Sequence, residues 1–405
     1  MAPVKALLLE NIHPEAVRVL TEAGIEVETR PGALTEDELI AALDGVDLLG
    51  IRSATQVTEK VVAARSDTLQ AVGAFCIGTN QIDLTAAAMH GVAAFNAPFS
   101  NTRSVVELAM AEIIMLARRL TDRNASMHAG RWDKSAKGAH EVRGRTLGIV
   151  GYGNIGSQLS IVAEALGMKV SFYDVADKLA LGNARRVNSL EELLSTCETI
   201  SLHVDGRPGN SGMFGAREFA MMRPRSLFLN LCRGMVVDHH ALVENLHSGH
   251  IAGAAIDVFP EEPKTSGDPF TSELQNIPNV ILTPHIGGST QEAQQDIGRF
   301  VAGKLADYIQ TGSTLMSVNL PHVGARTEGG IRVVHLHKNV PGVMAKLNQI
   351  YSDHDANVES QTLGTRGSLG YAVTDIKLSD HDRAPQLEAE IAALESTVKV
   401  RVLTQ

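Results

Sequence analysis

The chain predicts an α/β protein with two parallel, doubly wound sheets and a small α+β unit near its C-terminal end. Short apolar runs alternate with helix-patterned segments in two successive series, which implies right-handed crossovers and parallel strands. A Gly-rich turn, 151–156, joins strand to helix at the head of the second series. Beyond residue 330 the pattern changes to strand-helix-strand-strand-helix-strand. The 405 residues exceed the ~250–300 beyond which one core stops growing. With only 10 Phe, 5 Tyr and 1 Trp, the cores must be built from Ala, Val, Ile and Leu, and 36 Gly serve the turns.

In the first series, strands are expected at 5–9, 47–51, 69–75 and 92–95, with helices at 13–23, 35–43, 58–64 and 83–90. A long, largely buried helix follows at 101–120, where Val105, Val106, Leu108, Ala109, Ile113, Ile114 and Leu116 recur at helical spacing. The second series places strands at 146–151, 169–173, 199–203, 226–231, 253–258 and 280–282, with helices including 155–165 and 239–247. Six strands with helical crossovers make a sheet of the dinucleotide-binding type. A helix at 291–308 leads into a stretch rich in Gly, Ser and Thr that reads as a linker at 316–330. The last unit places strands at 331–337, 357–363, 371–378 and 398–403, and helices at 341–351, with Pro341 in the first turn, and 384–394.

Charge and composition narrow the function. The net charge of −10 argues against a nucleic-acid platform, which needs a basic face. Three scattered cysteines, Cys76, Cys197 and Cys232, suit neither a disulfide framework nor a zinc site and point to a reducing compartment. No metal site is expected. No apolar run reaches membrane-spanning length and no cleavage-type leader is apparent, so a cytoplasmic protein without a membrane partner is expected.

Gly151, Gly153, Asn154, Ile155 and Gly156 form a GxGxxG turn between a strand and a helix. The first glycine permits the turn, the second lets backbone approach a pyrophosphate, and the third lets helix pack on strand, with free helix N–H groups facing the phosphates. Asp174 ends the next strand, where a carboxylate would accept from both ribose hydroxyls and repel a 2′-phosphate. A dinucleotide cofactor is expected, NAD rather than NADP.

Hydride transfer from an alcohol carbon to nicotinamide needs a proton-exchanging group and a cation for the substrate's carboxylate and carbonyl. Arg233, Glu262 and His285 each follow a late strand of the second series, where open α/β sheets bind ligands. His285 suits the acid/base role because imidazole titrates near neutral pH. Glu262 would orient that ring and favour its protonated form. Arg233 offers a planar fork to the carboxylate. His239, His240, His247 and His250 read as surface residues.

These residues, together with the segments 52–55, 77–80, 95–104, 232–234, 257–263 and 283–290, resemble the D-2-hydroxyacid dehydrogenase family across nearly the whole chain. The resemblance implies that Arg233, Glu262 and His285 are catalytic and that Cys232, Asp257, His285, Gly287 and Gly288 join the cofactor site. It implies substrate contacts from Arg52, Ser53, Gly78, Asn101 and Arg233. Lys134, near Trp132 at a subunit interface, would reach a neighbour's active site. It further implies a discontinuous, flavodoxin-like substrate domain of residues 1–100 and 287–315, a Rossmann-type domain of residues 101–286, the linker at 316–330, and a regulatory unit of residues 331–405.

That last unit resembles an ACT domain, a ferredoxin-like module that binds amino acids between domains. His337 and Asn339, with Asn357 from a facing subunit, would take L-serine, so a homo-oligomer, a tetramer, is implied. The activity implied is NAD-dependent oxidation of 3-phosphoglycerate to 3-phosphohydroxypyruvate, feedback-regulated by serine, with side activity on 2-oxoglutarate. Arg52, at a strand end with hydroxyl and amide donors nearby, makes sense for a phosphate-bearing substrate. Two alternatives stay open: another member acting on glyoxylate or hydroxypyruvate, which leaves the tail unexplained, and a non-enzymatic NAD-sensing scaffold. Cys232 stands where a small Ser or Ala is usual in the family, which suggests a thiol-sensitive active site. Ala356, in place of the usual Gly, puts the strength of serine inhibition in question.

Overall fold

The computed structural model describes residues 3–263, 267–325, 330–378 and 381–404. The first series comprises β1 (Lys5–Leu8), α1 (Pro14–Glu22), β2 (Glu26–Thr29), α2 (Glu36–Ala42), β3 (Leu48–Ile51), α3 (Glu59–Arg65), β4 (Ala71–Ala74), α4 (Leu84–Met89) and β5 (Ala93–Asn96). All strand pairs are parallel, in the order β2-β1-β3-β4-β5, the flavodoxin-like arrangement expected. Strands β3, β4 and β5 are buried along their whole length, which is why they read as apolar runs, broken only by Asn96 at the end of β5. Strand β2 was not expected. Its Glu-Val-Glu-Thr sequence lies at the sheet edge, largely exposed, and an edge strand needs no apolar run.

The second series contains α5 (Thr102–Arg118), α6 (Leu120–His128), β6 (Thr146–Val150), α7 (Asn154–Ala165), β7 (Lys169–Tyr173), β8 (Arg185–Arg186), α8 (Leu190–Thr196), β9 (Thr199–Leu202), α9 (Ala216–Met221), β10 (Ser226–Asn230), α10 (His239–His247), β11 (Ile251–Ile256) and β12 (Val280–Leu282). The parallel order β12-β11-β10-β9-β6-β7-β8 is the Rossmann arrangement with its switch point between β6 and β9. The two-residue edge strand β8 joins the six expected. The helix read as 101–120 stops at Arg118, because Arg119 adopts a left-handed conformation (φ 51°) and starts α6 in a new direction. Val105, Val106, Ala109, Met110, Ile113 and Leu116 of α5 share a core with Leu147, Ile149, Leu229 and Ala255 of the sheet.

The chain closes with α11 (Gln291–Thr311), β13 (Ile331–Lys338), α12 (Val343–Asp353), β14 (Asn357–Arg366), β15 (Leu369–Lys377), α13 (Ala384–Ala392) and β16 (Thr397–Thr404). The antiparallel order β14-β15-β13-β16 is ferredoxin-like, as expected. Helix α12 starts later than read: Gly342, at φ 87°, is its N-cap, so Pro341 precedes the cap rather than filling the first turn.

Packing divides the molecule into two units, Met1–Ser100 with Gln294–Gln405, and Asn101–Ala293. In the first, Ile297, Val301, Ala302 and Leu305 of α11 join Ala6, Leu8, Ala71 and Phe95 of the parallel sheet in one core. Val334, Leu336, Tyr371 and Val373 of the antiparallel sheet enter the same core. The other face of that sheet packs Val333, Ala372 and Ile376 against Leu347, Leu387 and Ile391 of α12 and α13. Polar ties reinforce the union. Tyr371 Oη donates to Gly312 O (2.6 Å), Lys399 Nζ donates to Ser66 O and Leu69 O (both 3.1 Å), and Arg401 lies 4.3 Å over the Tyr308 ring. Burial pushes the Lys399 ammonium down to about 8.

The expected linker is no free tether where it is described. Asn319 Oδ1 accepts from Ala94 N (2.8 Å), Asn319 Nδ2 donates to Val92 O (2.9 Å), and Val318 N donates to Ala94 O (2.9 Å). Residues 317–319 thus cover the open edge of β5, and the Ser, Thr and Asn side chains that suggested a loop are buried hydrogen-bonding groups. Positions 326–329 of the expected linker lie outside the described residues.

Candidate active site

The Gly-rich turn sits at the carboxyl end of β6, at the switch point. Gly151 has φ 91°, and a Cβ there would lie 2.6 Å from His203 O. A Cβ on Gly156 would overlap the Gly151 carbonyl. Both glycines are therefore demanded by the protein's own packing. Gly153 differs, because a Cβ there would meet nothing within 4 Å, so the protein's own packing does not demand a glycine and the turn is open to close approach by a ligand. Helix α7 begins at Asn154 with Gly153 as N-cap and no side-chain cap, leaving its first N–H groups for an anion. Asp174, just past β7, accepts from Tyr152 N (2.7 Å) and Ala176 N (2.8 Å). It ties the turn to the strand that would carry the ribose. This donor set fits a dinucleotide.

Three strands further along the same edge, the acid/base group is built from a brace upward. Asp257, 1% exposed, follows β11, and its carboxylate accepts from Thr283 Oγ1 (2.7 Å), Ile286 N (2.8 Å) and Gly287 N (2.8 Å). Asp257 O accepts from His285 N (2.8 Å). These bonds hold His285 at φ 54°, a left-handed conformation that a non-glycine residue keeps only when its surroundings over-determine it. The ring is then fixed by Glu262, whose Oε2 lies 2.8 Å from His285 Nδ1 while Oε1 accepts from Phe259 N (3.0 Å).

The electrostatics follow from that geometry. The Glu262 hydrogen bond raises the His285 imidazole above its ordinary range, against the opposing effects of burial and Arg233. Burial pushes the Glu262 carboxyl up, but the bonds from His285 and Phe259 N–H and the charges of His285 and Arg233 outweigh it and leave it lowered. The pair therefore favours imidazolium beside carboxylate. Arg233 follows β10, held by Asn230, whose Nδ2 donates to Arg233 O (3.1 Å), and by its own Nη1 bond to Cys232 O (2.6 Å). Asn230 Oδ1 also accepts from Cys232 N and Cys232 Sγ. Burial pushes the Cys232 thiol up to about 11. That shift favours the protonated thiol over the reactive thiolate.

Among the remaining expected residues, Arg52 and Ser53 follow β3 and Gly78 follows β4, all at the carboxyl edge of the five-stranded sheet. Asn101 is the N-cap of α5 and crowds Gly288, where a Cβ would overlap its side chain. Lys134 and Trp132 lie exposed beyond α6, the tryptophan 79% so. His337 is buried, with Nδ1 bonded to Lys338 O (2.8 Å), and Asn339 N donates to Ser368 O (2.8 Å). His337 pairs with Gly370 whereas Asn357 pairs with Lys377. At ~3.3 Å per residue these lie about 23 Å apart along β15. One chain does not gather His337, Asn339 and Asn357 into one cluster.

Several residues of consequence were missed. Asn230 and the bracing role of Asp257 have no sequence signal beyond a polar residue ending an apolar run. Glu112 of α5 is buried with neither carboxylate oxygen hydrogen-bonded. Burial and the nearby Asp257 charge push it up to about 8, so it sits as a neutral acid inside an apolar helix face.

Comparisons with known proteins identify the family. The family described as D-isomer specific 2-hydroxyacid dehydrogenase, NAD binding domain, matches residues 110–287, and an AHAS small subunit-like ACT domain matches residues 333–399. The chain is 49% identical to D-3-phosphoglycerate dehydrogenase of Escherichia coli (strain K12) over 99% of its own length and 97% of the relative's. It is 44% identical to D-3-phosphoglycerate dehydrogenase 2 of Saccharomyces cerevisiae, covering 98% and 87%. Among solved structures, D-2-hydroxyisocaproate dehydrogenase superposes with a TM-score of 0.71 at 25% identity, covering 78% of this chain and 100% of that one. A glyoxylate reductase from Paecilomyes thermophila gives 0.68 at 26%, covering 78% and 99%. With a dinucleotide turn, a paired histidine and glutamate, an ACT-domain match at residues 333–399, and 49% identity to a D-3-phosphoglycerate dehydrogenase over nearly its whole length, the chain belongs to the D-2-hydroxyacid dehydrogenase family, in the D-3-phosphoglycerate dehydrogenase group.

Proposed function

We propose that this enzyme catalyses the NAD-dependent oxidation of 3-phosphoglycerate to 3-phosphohydroxypyruvate in L-serine biosynthesis. The observation that carries the reading is the Glu262–His285 pair, 2.8 Å apart, beside Arg233 at the sheet edge that holds the dinucleotide turn. Bound NAD supplies the hydride acceptor. With Nδ1 engaged by Glu262, His285 exchanges the substrate's hydroxyl proton through Nε2. Glu262 stabilises the imidazolium so formed. Arg233, anchored by Asn230, takes the carboxylate and carbonyl oxygens. Asp174 accepts from the ribose hydroxyls and disfavours a 2′-phosphate, which selects NAD. Arg52, Ser53, Gly78 and Asn101 contact the substrate, with Lys134 from a neighbouring subunit, and Arg52 meets the phosphate. The α-keto carboxylate common to both substrates allows side activity on 2-oxoglutarate.

The ACT unit supports feedback by L-serine. Because the partners of His337 and Asn357 lie about 23 Å apart along β15 in one chain, a complete serine site requires two facing copies, consistent with a homotetramer. The domain boundaries follow the same reading, with the substrate-binding domain formed by 1–100 and 287–315, the NAD-binding domain by 101–286 and the regulatory domain by 331–405. A cytoplasmic location fits this role. Among the described residues no helix is long and apolar enough to cross a membrane. The 44–49% identity to phosphoglycerate enzymes over nearly the whole chain and the ACT tail favour this over a glyoxylate or hydroxypyruvate reductase. Titrating turnover with L-serine tests the assignment: inhibition at millimolar serine that Asn339→Ala relieves is expected, and equal rates with and without serine would reject the regulatory half.

A further inference from the structure

We propose that Glu10 is a positioning residue for the substrate's phosphate, its carboxylate gripping the 52–55 turn so that Arg52 is presented in a fixed place. The inference deepens the functional reading above and rests on Arg52 meeting a phosphate. Glu10 follows Leu9 at the end of β1, on the strand next to β3. Its carboxylate spans the turn after β3, with Oε2 accepting from Ala54 N (3.0 Å) and Oε1 from Thr55 N (2.9 Å). From β4's side, Gln81 Nε2 donates to Arg52 O (2.5 Å). One acid and one amide thus hold both ends of the segment Arg52–Thr55.

The backbone is bent to make this possible. Glu10 (φ 60°) and Asn11 (φ 52°) are consecutive non-glycine residues in the left-handed region, and Glu10 N is itself fixed to Gly32 O (3.0 Å). Two such residues in a row persist only where the surroundings enforce them, and they concentrate at functional sites. Burial pushes the Glu10 carboxyl up, yet the hydrogen bonds from Thr55, Ala54 and Arg52 prevail and keep it lowered, hence charged at neutral pH. A carboxylate next to an anion site is unfavourable unless its charge is spent elsewhere. Here both oxygens are spent on the turn's N–H groups, which leaves the Arg52 cation for the ligand.

The test compares 3-phosphohydroxypyruvate with hydroxypyruvate, which lacks the phosphate, as substrates of the full-length enzyme with NADH. Glu10→Gln sets an amide N–H₂ against one of the two turn N–H groups and loosens the grip. The expected result is a KM for phosphohydroxypyruvate raised about tenfold more than the KM for hydroxypyruvate, with NADH affinity kept and Glu10→Asp showing the same split. Equal effects on both substrates, or none, would overturn the inference as a merely structural role. Arg52→Gln separates the two layers. If it leaves the preference for the phosphorylated substrate intact, the phosphate reading of Arg52 fails and takes this inference with it. If it abolishes that preference while both Glu10 variants leave it unchanged, only the inference fails. Should Glu10→Gln not fold, Glu10→Asp, which keeps the charge, decides alone.

Discussion

Asp257→Asn tests whether the active-site histidine is set by a buried brace. The carboxylate accepts three hydrogen bonds, from Thr283 Oγ1 at 2.7 Å and from Ile286 N and Gly287 N at 2.8 Å. An Asn side chain keeps one acceptor oxygen and turns an N–H₂ toward one of the two backbone N–H groups. It therefore loses a charge-assisted bond and leaves a buried donor facing a donor, a cost of about 2–3 kcal/mol. The turn that holds His285 at φ 54° takes two of its backbone N–H bonds and its Thr283 hydroxyl bond from this carboxylate, so relaxation of that backbone is the expected outcome. If the penalty is expressed at the reacting geometry, turnover falls about 30- to 150-fold. Steady-state reduction of phosphohydroxypyruvate, with thermal unfolding as a folding control, reads the effect. A folded variant with turnover within about twofold of the parent would refute the bracing argument, since that corresponds to less than about 0.5 kcal/mol.

Other outcomes follow from the same geometry. Ketone reduction needs protonated His285, so its kcat/KM should be held at low pH and lost as pH rises through the raised imidazole pKa. Glu262→Gln removes the main cause of that rise and should move the falling limb to lower pH, whereas a limb that does not move would detach Glu262 from the titration. Arg332→Met breaks the buried pair with Asp375, whose oxygens lie 2.6 and 3.0 Å from Nε and Nη2, and strands a charge. A loss of about 3 kcal/mol is expected in denaturant unfolding, and unchanged stability would show that the pair contributes nothing net.

Much of the fold was legible because parallel strands buried on both faces read as near-continuous apolar runs, as β3, β4 and residues Ala93–Phe95 of β5 do. Strands β2 and β8 escaped because edge strands are under no such demand. The break at Arg119 was hidden by an apolar stripe that stays helical up to the residue itself, and only its positive φ ends α5. Residues 316–325 looked like a tether because Ser, Asn and Pro suit loops, yet Ser317 and Asn319 are buried against β5. At the candidate site, Arg233, Glu262 and His285 could be named because the chemistry calls for those three side-chain types after late strands. Asp257, Asn230 and Glu10 act through other residues. A polar side chain that braces a turn looks, in sequence, the same as one that touches solvent.

The central claim, that His285 backed by Glu262 exchanges the proton of a phosphorylated 2-hydroxy acid, is tested most directly by NADH oxidation with 3-phosphohydroxypyruvate. The parent enzyme and His285→Ala would be compared, with NADH affinity measured for both. Substrate-dependent oxidation by the parent, and loss of most turnover with NADH affinity retained in the variant, is the predicted result. Turnover that survives in His285→Ala, or a parent that binds NADH tightly without oxidising it, would contradict the account.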